Sequence, residues 1–173
     1  MTTILGIDPG YGRLGWAIGK KVGAGWDTPE LGCIETAAHL NTYQRYQQLE
    51  DKLQKVINKY KPDEAALETL FFSNNQKTAM QVAESRGIIL AALIRNKLPI
   101  TQYNPMEIKE TVTGNGRADK KAVEKMIRME FKLRDKKVLD DAIDALAVVL
   151  THSIRSCNHK YYAQSIKKKV NYL

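Results

Sequence analysis

The sequence predicts an α/β protein, a mixed sheet with helices packed on its faces. Three observations predict it. Three short apolar runs with glycine-bearing turns follow one another at the start of the chain. The apolar period then changes to three and four. Beyond that point strand-like and helix-like segments alternate.

Residues 3–8 form the first strand. It stops at Asp8-Pro9-Gly10, because proline cannot donate to a ladder and glycine weakens one. Residues 14–19 form the second, with Gly12 and Gly15 allowing a tight return, and residues 31–36 the third, after a connection marked by Gly23 and Gly25. Three strands with short turns predict an antiparallel meander. Tyr43, Tyr46, Leu49, Leu53, Val56, Ile57 and Tyr60 then define one apolar helical face, capped by Asn41 and ended by Pro62. Residues 64–67 are a short apolar strand that delivers Glu68. Asn74 or Asn75 caps a long helix reaching Asn96. Its second half, 88–94, is apolar nearly all round, so it is buried in the core or against a partner subunit. Residues 99–103 are another strand, and Pro105 suits the first turn of a short helix. Gly114-Asn115-Gly116-Arg117 is a loop, Asp119 caps a helix to about Phe131, and a last helix runs from Val138 to about Ser153. Residues 1–155 are expected to form the folded domain. Residues 156–173 form a basic, partly disordered tail, with Lys160, Lys167, Lys168 and Lys169 and no acid.

Composition bounds the function. The 173 residues can bury one core without disulfides or a structural metal. With 43% hydrophobic and 27% charged residues the chain is not a disordered one. The net charge of +8 points to a polyanionic partner, because Lys and Arg neutralise phosphates and release their counterions. Cys33 and Cys157 stand far apart and read as reduced thiols, and His39, His152 and His159 form no zinc pattern. The N-terminus does not read as a signal peptide and no segment approaches a membrane span, so the protein is expected to be soluble and cytoplasmic.

Four acidic positions sit where an acid is costly. Asp8 closes an apolar strand and Glu68 ends another. Asp141 and Asp144 lie in a helix that is apolar on nearly every other side. Residues three apart share a helical face, so Asp141 and Asp144 point the same way, but Asp140 lies near Asp144 as well, and spacing does not choose between Asp140 and Asp141. No histidine or arginine within these motifs is placed to pair with the acids. Convergent carboxylates repel unless cations compensate, and hard oxygen ligands select Mg²⁺ or Mn²⁺. Two such ions about 4 Å apart can activate a water and stabilise the leaving oxygen of a phosphodiester. Taken singly, each acid has an ordinary reading: a turn aspartate, a solvated strand end, a solvated helix face.

With Ile4-Leu5-Gly6-Ile7-Asp8-Pro9-Gly10, Ala66-Leu67-Glu68-Thr69-Leu70-Phe71-Phe72 and Asp141-Ala142-Ile143-Asp144-Ala145-Leu146-Ala147 followed by Thr151-His152, the sequence closely resembles the RuvC family of Holliday-junction resolvases. The resemblance covers nearly all of the chain to about residue 155. It implies a ribonuclease H-like fold with a five-stranded mixed sheet and helices on both faces. It implies Asp8, Glu68, Asp141 and Asp144 as catalytic, metal-holding carboxylates, and so favours Asp141 over Asp140. Phe71 is implied to approach bases near the junction centre, and Lys109 and Lys120 the DNA backbone, while Arg117 in the loop they flank could itself approach phosphate. Leu14 departs from the small hydroxyl residue common in the family, and the tail does not match it.

The implied activity is endonucleolytic resolution of Holliday junctions by paired symmetric nicks. It depends on Mg²⁺ (or Mn²⁺), two ions per site, and leaves 5′-phosphate and 3′-hydroxyl ends. The implied assembly is a homodimer with the RuvA–RuvB branch-migration complex as partner, and the helix through residues 88–94 is the segment expected to help form the dimer. The alternatives are a junction-binding module that does not cut and a related ribonuclease H-like nuclease acting on RNA.

Overall fold

The computed structural model describes residues 2–170 except 24, 28, 70–75 and 134–136, with the side chains of 76–78 and 157–170 also outside the description. Its central sheet is built from β1 (Thr3–Asp8), β2 (Arg13–Val22), β4 (Glu30–Glu35), β5 (Glu64–Glu68) and β6 (Ile100–Tyr103), with a two-residue strand β3 (Gly25–Trp26) added. β2 pairs antiparallel with β1 and, along its other edge, with β3 and β4. β1 pairs parallel with β5, and β5 with β6. The mixed sheet therefore has the five strands expected, and β3 is a sixth, formed where β2 runs on past Gly19 to Val22 and meets Trp26. The antiparallel meander lies on one side of β1 and the parallel strands on the other.

Among the described residues five helices cover the sheet: α1 (Thr42–Tyr60), α2 (Gln76–Arg95), α3 (Pro105–Thr113), α4 (Lys120–Glu130) and α5 (Asp140–Val170). Asn41 caps α1 and Asn104 caps α3, each through a reciprocal capping box, and Asp119 caps α4 by accepting from Ala122 N. The proposed caps Asn74 and Asn75 of α2 lie outside the described residues. α5 passes well beyond Ser153, where the sequence pattern ends the helix, and its backbone stays helical to Val170. Between Leu139 and Val170 there is neither proline nor glycine to stop it.

Strand alternation divides the interior into two cores. Leu5, Ile7, Leu14, Ile18, Ala65 and Leu67 face α1 and α2, where Leu49, Leu53, Ile89 and Leu93 meet them. Ile4, Ala17 and Ala66 face α5, with α3 and α4 closing that side through Ile108, Val112, Val123 and Ile127. By the same alternation Asp8 and Glu68 belong to the α5 face. His152 of α5 is buried at the far end of β5, with Nε2 2.6 Å from a Glu64 carboxylate oxygen and Nδ1 2.9 Å from the Tyr103 hydroxyl, so α5 is tied to β5 and β6 there.

α5 approaches the sheet more closely than a side chain would permit. A Cβ on Gly15 would lie 1.9 Å from the Asp141 carbonyl oxygen. One on Gly6 would lie 2.3 Å from the Ala145 carbonyl oxygen, and one on Gly19 2.3 Å from Val149 Cγ1. Asp141, Ala145 and Val149 are spaced by four, so one ridge of α5 beds along three glycines of β1 and β2. Gly15 thus serves packing from inside β2, not the return between β1 and β2 that the sequence suggests for it. Gly15→Ala is expected to destabilise the protein by about 1–3 kcal/mol, as overpacking does. Urea unfolding checks this; a variant as stable as the parent would show that α5 can shift freely.

Candidate active site

β1 and β5 are parallel neighbours with Ile7 opposite Leu67, so Asp8 and Glu68 are each the next residue on adjacent strands, at the same edge of the sheet and on the same face. Over that edge lies the first turn of α5, which carries Asp141, with Asp144 one turn along. The partial positive charge of a helix N-terminus favours carboxylates there. An open cleft of about 290 Å³ beside them is lined by Glu68, Asp144, Lys109 and Lys120, with Pro105, Ile108, Val123 and Ala147 as its apolar walls.

The acids strain against one another. Burial, then the charges of Glu68, Asp144 and Asp141, push the Asp8 carboxyl up to about 7. Burial and Asp144 raise Glu68, and burial raises Asp144 in spite of its bond to Lys120. Asp140 has no part in holding Asp8 up. Its side chain is largely exposed and reaches Lys120 at 3.5 Å, while its charge, like that of Asp141, raises Asp144.

Cations from elsewhere in the chain answer these charges. Lys120, the first residue of α4, sets Nζ 3.1 Å from Asp144, and the Arg13 guanidinium lies 3.8 Å from Asp141 and 3.1 Å from Glu35. Burial opposes the charge on Lys120, but its bonds and charge contacts with Asp144 and Asp140 hold the ammonium above the usual lysine range. Lys109 lowers Glu68 by its charge. The implied DNA-contacting lysines are therefore both at the acidic cluster, whereas Arg117 is exposed on its loop and does not line the cleft. Phe71 lies outside the described residues. Cys33 is a free cysteine whose sulfur is 3.9 Å from Asp141. Burial and the charges of Asp141 and Glu35 push its thiol up to about 11, so it is protonated near neutrality.

Two contributors escaped the sequence reading. Arg13 begins β2 with nothing in the local pattern to mark it. Arg86 of α2 is buried, and its guanidinium donates to the Glu68 backbone oxygen and to Gln102 Oε1. A signal for Arg86 was present: it stands in line with Ile89 and Leu93, three and seven residues on, on the buried face of its helix.

Among the described residues no three acidic, histidine or cysteine side chains stand in a ready-made metal-binding group. The carboxylates lean on Lys120 and Arg13 instead. The donor set nonetheless fits a hard divalent cation: four convergent carboxylates, two of them closing adjacent strands, and one whose carboxyl burial and its acidic neighbours push up to about 7.

Carboxylates at the edge of a mixed sheet, faced by a helical Asp-x-x-Asp and flanked by lysines, define a nuclease of the ribonuclease H-like class. The comparisons agree and narrow it. The profile described as "Crossover junction endodeoxyribonuclease RuvC" matches residues 4–152. A crossover junction endodeoxyribonuclease RuvC of Petrotoga mobilis is 42% identical over 149 residues, covering 86% of this chain and 91% of that protein. One of Caldicellulosiruptor saccharolyticus is 38% identical over 164 residues, covering 94% and 99%. The structure of T. thermophilus RuvC in complex with Holliday junction substrate superposes with a TM-score of 0.81 at 27% identity, covering 90% of this chain and 95% of that one. The yeast mitochondrial Holliday junction resolvase Ydc2 shares the fold, with a TM-score of 0.69 at 13% identity, covering 95% and 83%. The chain belongs to the RuvC family of crossover junction endodeoxyribonucleases, which are hydrolases acting on DNA.

The raised Asp8 has a consequence for stability without metal. Its folded pKa of about 7 lies above the ordinary aspartate value of 3.8, so the folded state binds the extra proton between them. The charge therefore costs stability increasingly as pH rises from about 4 to about 7, and uniformly above that. Asp8→Asn is expected to stabilise the metal-free protein by about 1–3 kcal/mol at pH 8, after allowing for solvent screening, and by less at pH 5. Urea unfolding in EDTA at the two pH values tests this. An equal effect at both would remove the electrostatic account.

Proposed function

We propose that this chain resolves four-way DNA junctions by paired symmetric nicks, with Asp8, Glu68, Asp141 and Asp144 as the catalytic carboxylates. The observation that carries the proposal is their convergence beside Lys109 and Lys120, at one end of an otherwise apolar core. Bound Mg²⁺ or Mn²⁺, two ions per site, would be held by these four carboxylates and would supply an activated water and charge stabilisation on the leaving oxygen. The protein's own part is positional and electrostatic. The sheet edge holds Asp8 and Glu68 in register, α5 brings Asp141 and Asp144 over them, and the two lysines attract the phosphate backbone. Lys120, bonded to Asp144 and Asp140, is a cation that would yield Asp144 to a metal and turn to a phosphate oxygen. Water attack at phosphorus with loss of the 3′ oxygen leaves a 5′-phosphate and a 3′-hydroxyl. Phe71 is proposed to stack on a base at the junction centre, and Arg117 to meet a phosphate from its loop.

Two cuts need two sites, and α2 supports a homodimer. Met80, Ala83, Gly87, Ala91 and Ile94 form an exposed stripe at helical spacing, with Met80 69% and Ile94 65% exposed. The segment 88–94, apolar nearly all round in sequence, resolves into a buried row of Ile89, Ala92 and Leu93 and this outward row. An isologous pairing of α2 would present two sites to a two-fold-symmetric substrate. The RuvA–RuvB complex is the proposed partner in the cell, acting in the cytoplasm. Among the described residues no helix is long and apolar enough to cross a membrane.

A synthetic four-way junction is expected to be nicked symmetrically with Mg²⁺ and not without it, and a linear duplex spared. Asp8→Asn should abolish cutting and retain junction binding. Binding with no cut across several junction sequences, with Mn²⁺ also tried, would leave a junction-binding module. Ile94→Glu is expected to yield a monomer in light scattering with an unchanged melting temperature, and a persistent dimer would move the interface elsewhere.

A further inference from the structure

Burying a cation is costly unless its hydrogen bonds are satisfied, and a protein keeps one where geometry requires it. Arg86 is 8% exposed, and burial lowers its pKa. Among the described residues its partners are both neutral oxygens: the carbonyl of Glu68 and the side-chain oxygen of Gln102 on β6. No carboxylate among those residues compensates it, so the guanidinium is held there for its direction of donation rather than for an ion pair.

The place is informative. β1 pairs with β5 only as far as Leu67, and the ladder from β6 meets Glu68 at Tyr103. Glu68 is the last residue of its strand, where the backbone begins to lose sheet restraint. Arg86 reaches this carbonyl from the α2 side, while the Glu68 carboxylate projects toward α5 and the cleft. Gln102 holds the second arm of the fork, so the guanidinium plane is fixed at two points, which suits arginine and not lysine.

We infer that Arg86 is a positioning residue for Glu68: it fixes the backbone from which the carboxylate is aimed and ties that aim to the seating of α2. The inference rests on reading Glu68 as a catalytic carboxylate. Because α2 also carries the exposed apolar stripe, the helix proposed to join two subunits is the one that steadies a carboxylate in each.

The test uses the full chain, with enzyme in excess over a four-way junction, junction binding measured in EDTA, and Mg²⁺ binding to the protein alone measured by calorimetry. Arg86→Met is expected to slow single-turnover cleavage about 100-fold, the loss typical of a misplaced group. Junction affinity should be unchanged, and the Mg²⁺ needed for half-maximal rate should rise. Arg86→Lys should recover part of the rate, since an ammonium lacks the fork. Gln102→Leu leaves the arginine in place and removes one of its acceptors, so it serves if Arg86→Met fails to fold, and it should slow cleavage several-fold at unchanged affinity. Parental cleavage rates in Arg86→Met or Gln102→Leu would overturn the inference. So would a loss of rate matched by loss of junction binding and fully restored by cooling, which is the mark of a purely structural role. If the parent itself cuts no junction, the functional reading fails. The calorimetry still decides the positioning role, which requires weaker Mg²⁺ binding in Arg86→Met than in the parent.

Discussion

The contact between α5 and the glycine-lined face of β1 and β2 is the constraint on which the rest of the site depends. Carboxylates on a sheet edge and on a helix can share a centre only if the helix axis comes unusually near the sheet. Here that nearness comes from removing side chains: Gly15 admits the backbone of Asp141, Gly6 that of Ala145, and Gly19 the side chain of Val149. The first of these contacts is made by the very residue that bears one of the acids. Packing and chemistry are therefore specified at the same atoms, and the apolar run from Ala145 to Leu150 keeps the helix pressed down along its length.

Such an arrangement concentrates negative charge in a poorly hydrated place, and the structure shows how that is endured. Asp8 takes up a proton near neutrality, Asp144 leans on Lys120, Asp141 faces Arg13, and the start of α5 adds its dipole. These are provisional partners. Lys120 and Arg13 each have more than half of their side-chain surface exposed, so both can move aside at little cost, unlike Arg86, which cannot. About three turns along α5 the His152, Glu64 and Tyr103 network holds by direct hydrogen bonds and exposes little to solvent. The helix is thus anchored firmly along its length and balanced electrostatically at its start.

Much of this was legible in the sequence because it rests on local physics. The caps Asn41 and Asp119, the meander, the strand that delivers Glu68 and the shared face of Asp141 and Asp144 follow from turn chemistry and periodicity. What escaped was nonlocal. Gly15 looks like a turn residue from its neighbours, and only the distant Asp141 gives it its purpose. Arg13 and Lys120 lie more than a hundred and about twenty residues from the acids they meet, and no spacing rule connects them. Where the last helix ends was underestimated because the pattern loses its apolar face before the backbone loses its reason to be helical.

Strand alternation has a further effect through Glu68. Its carboxylate belongs to one core and its carbonyl is gripped from the other, so this residue is held from both halves of the molecule. Elsewhere strand alternation sends the buried side chains of the sheet into one core or the other. A protein built this way can vary its α1 and α2 layer and its acidic site as separate problems. The exception is the narrow column through β5, where a change on either side is felt on both.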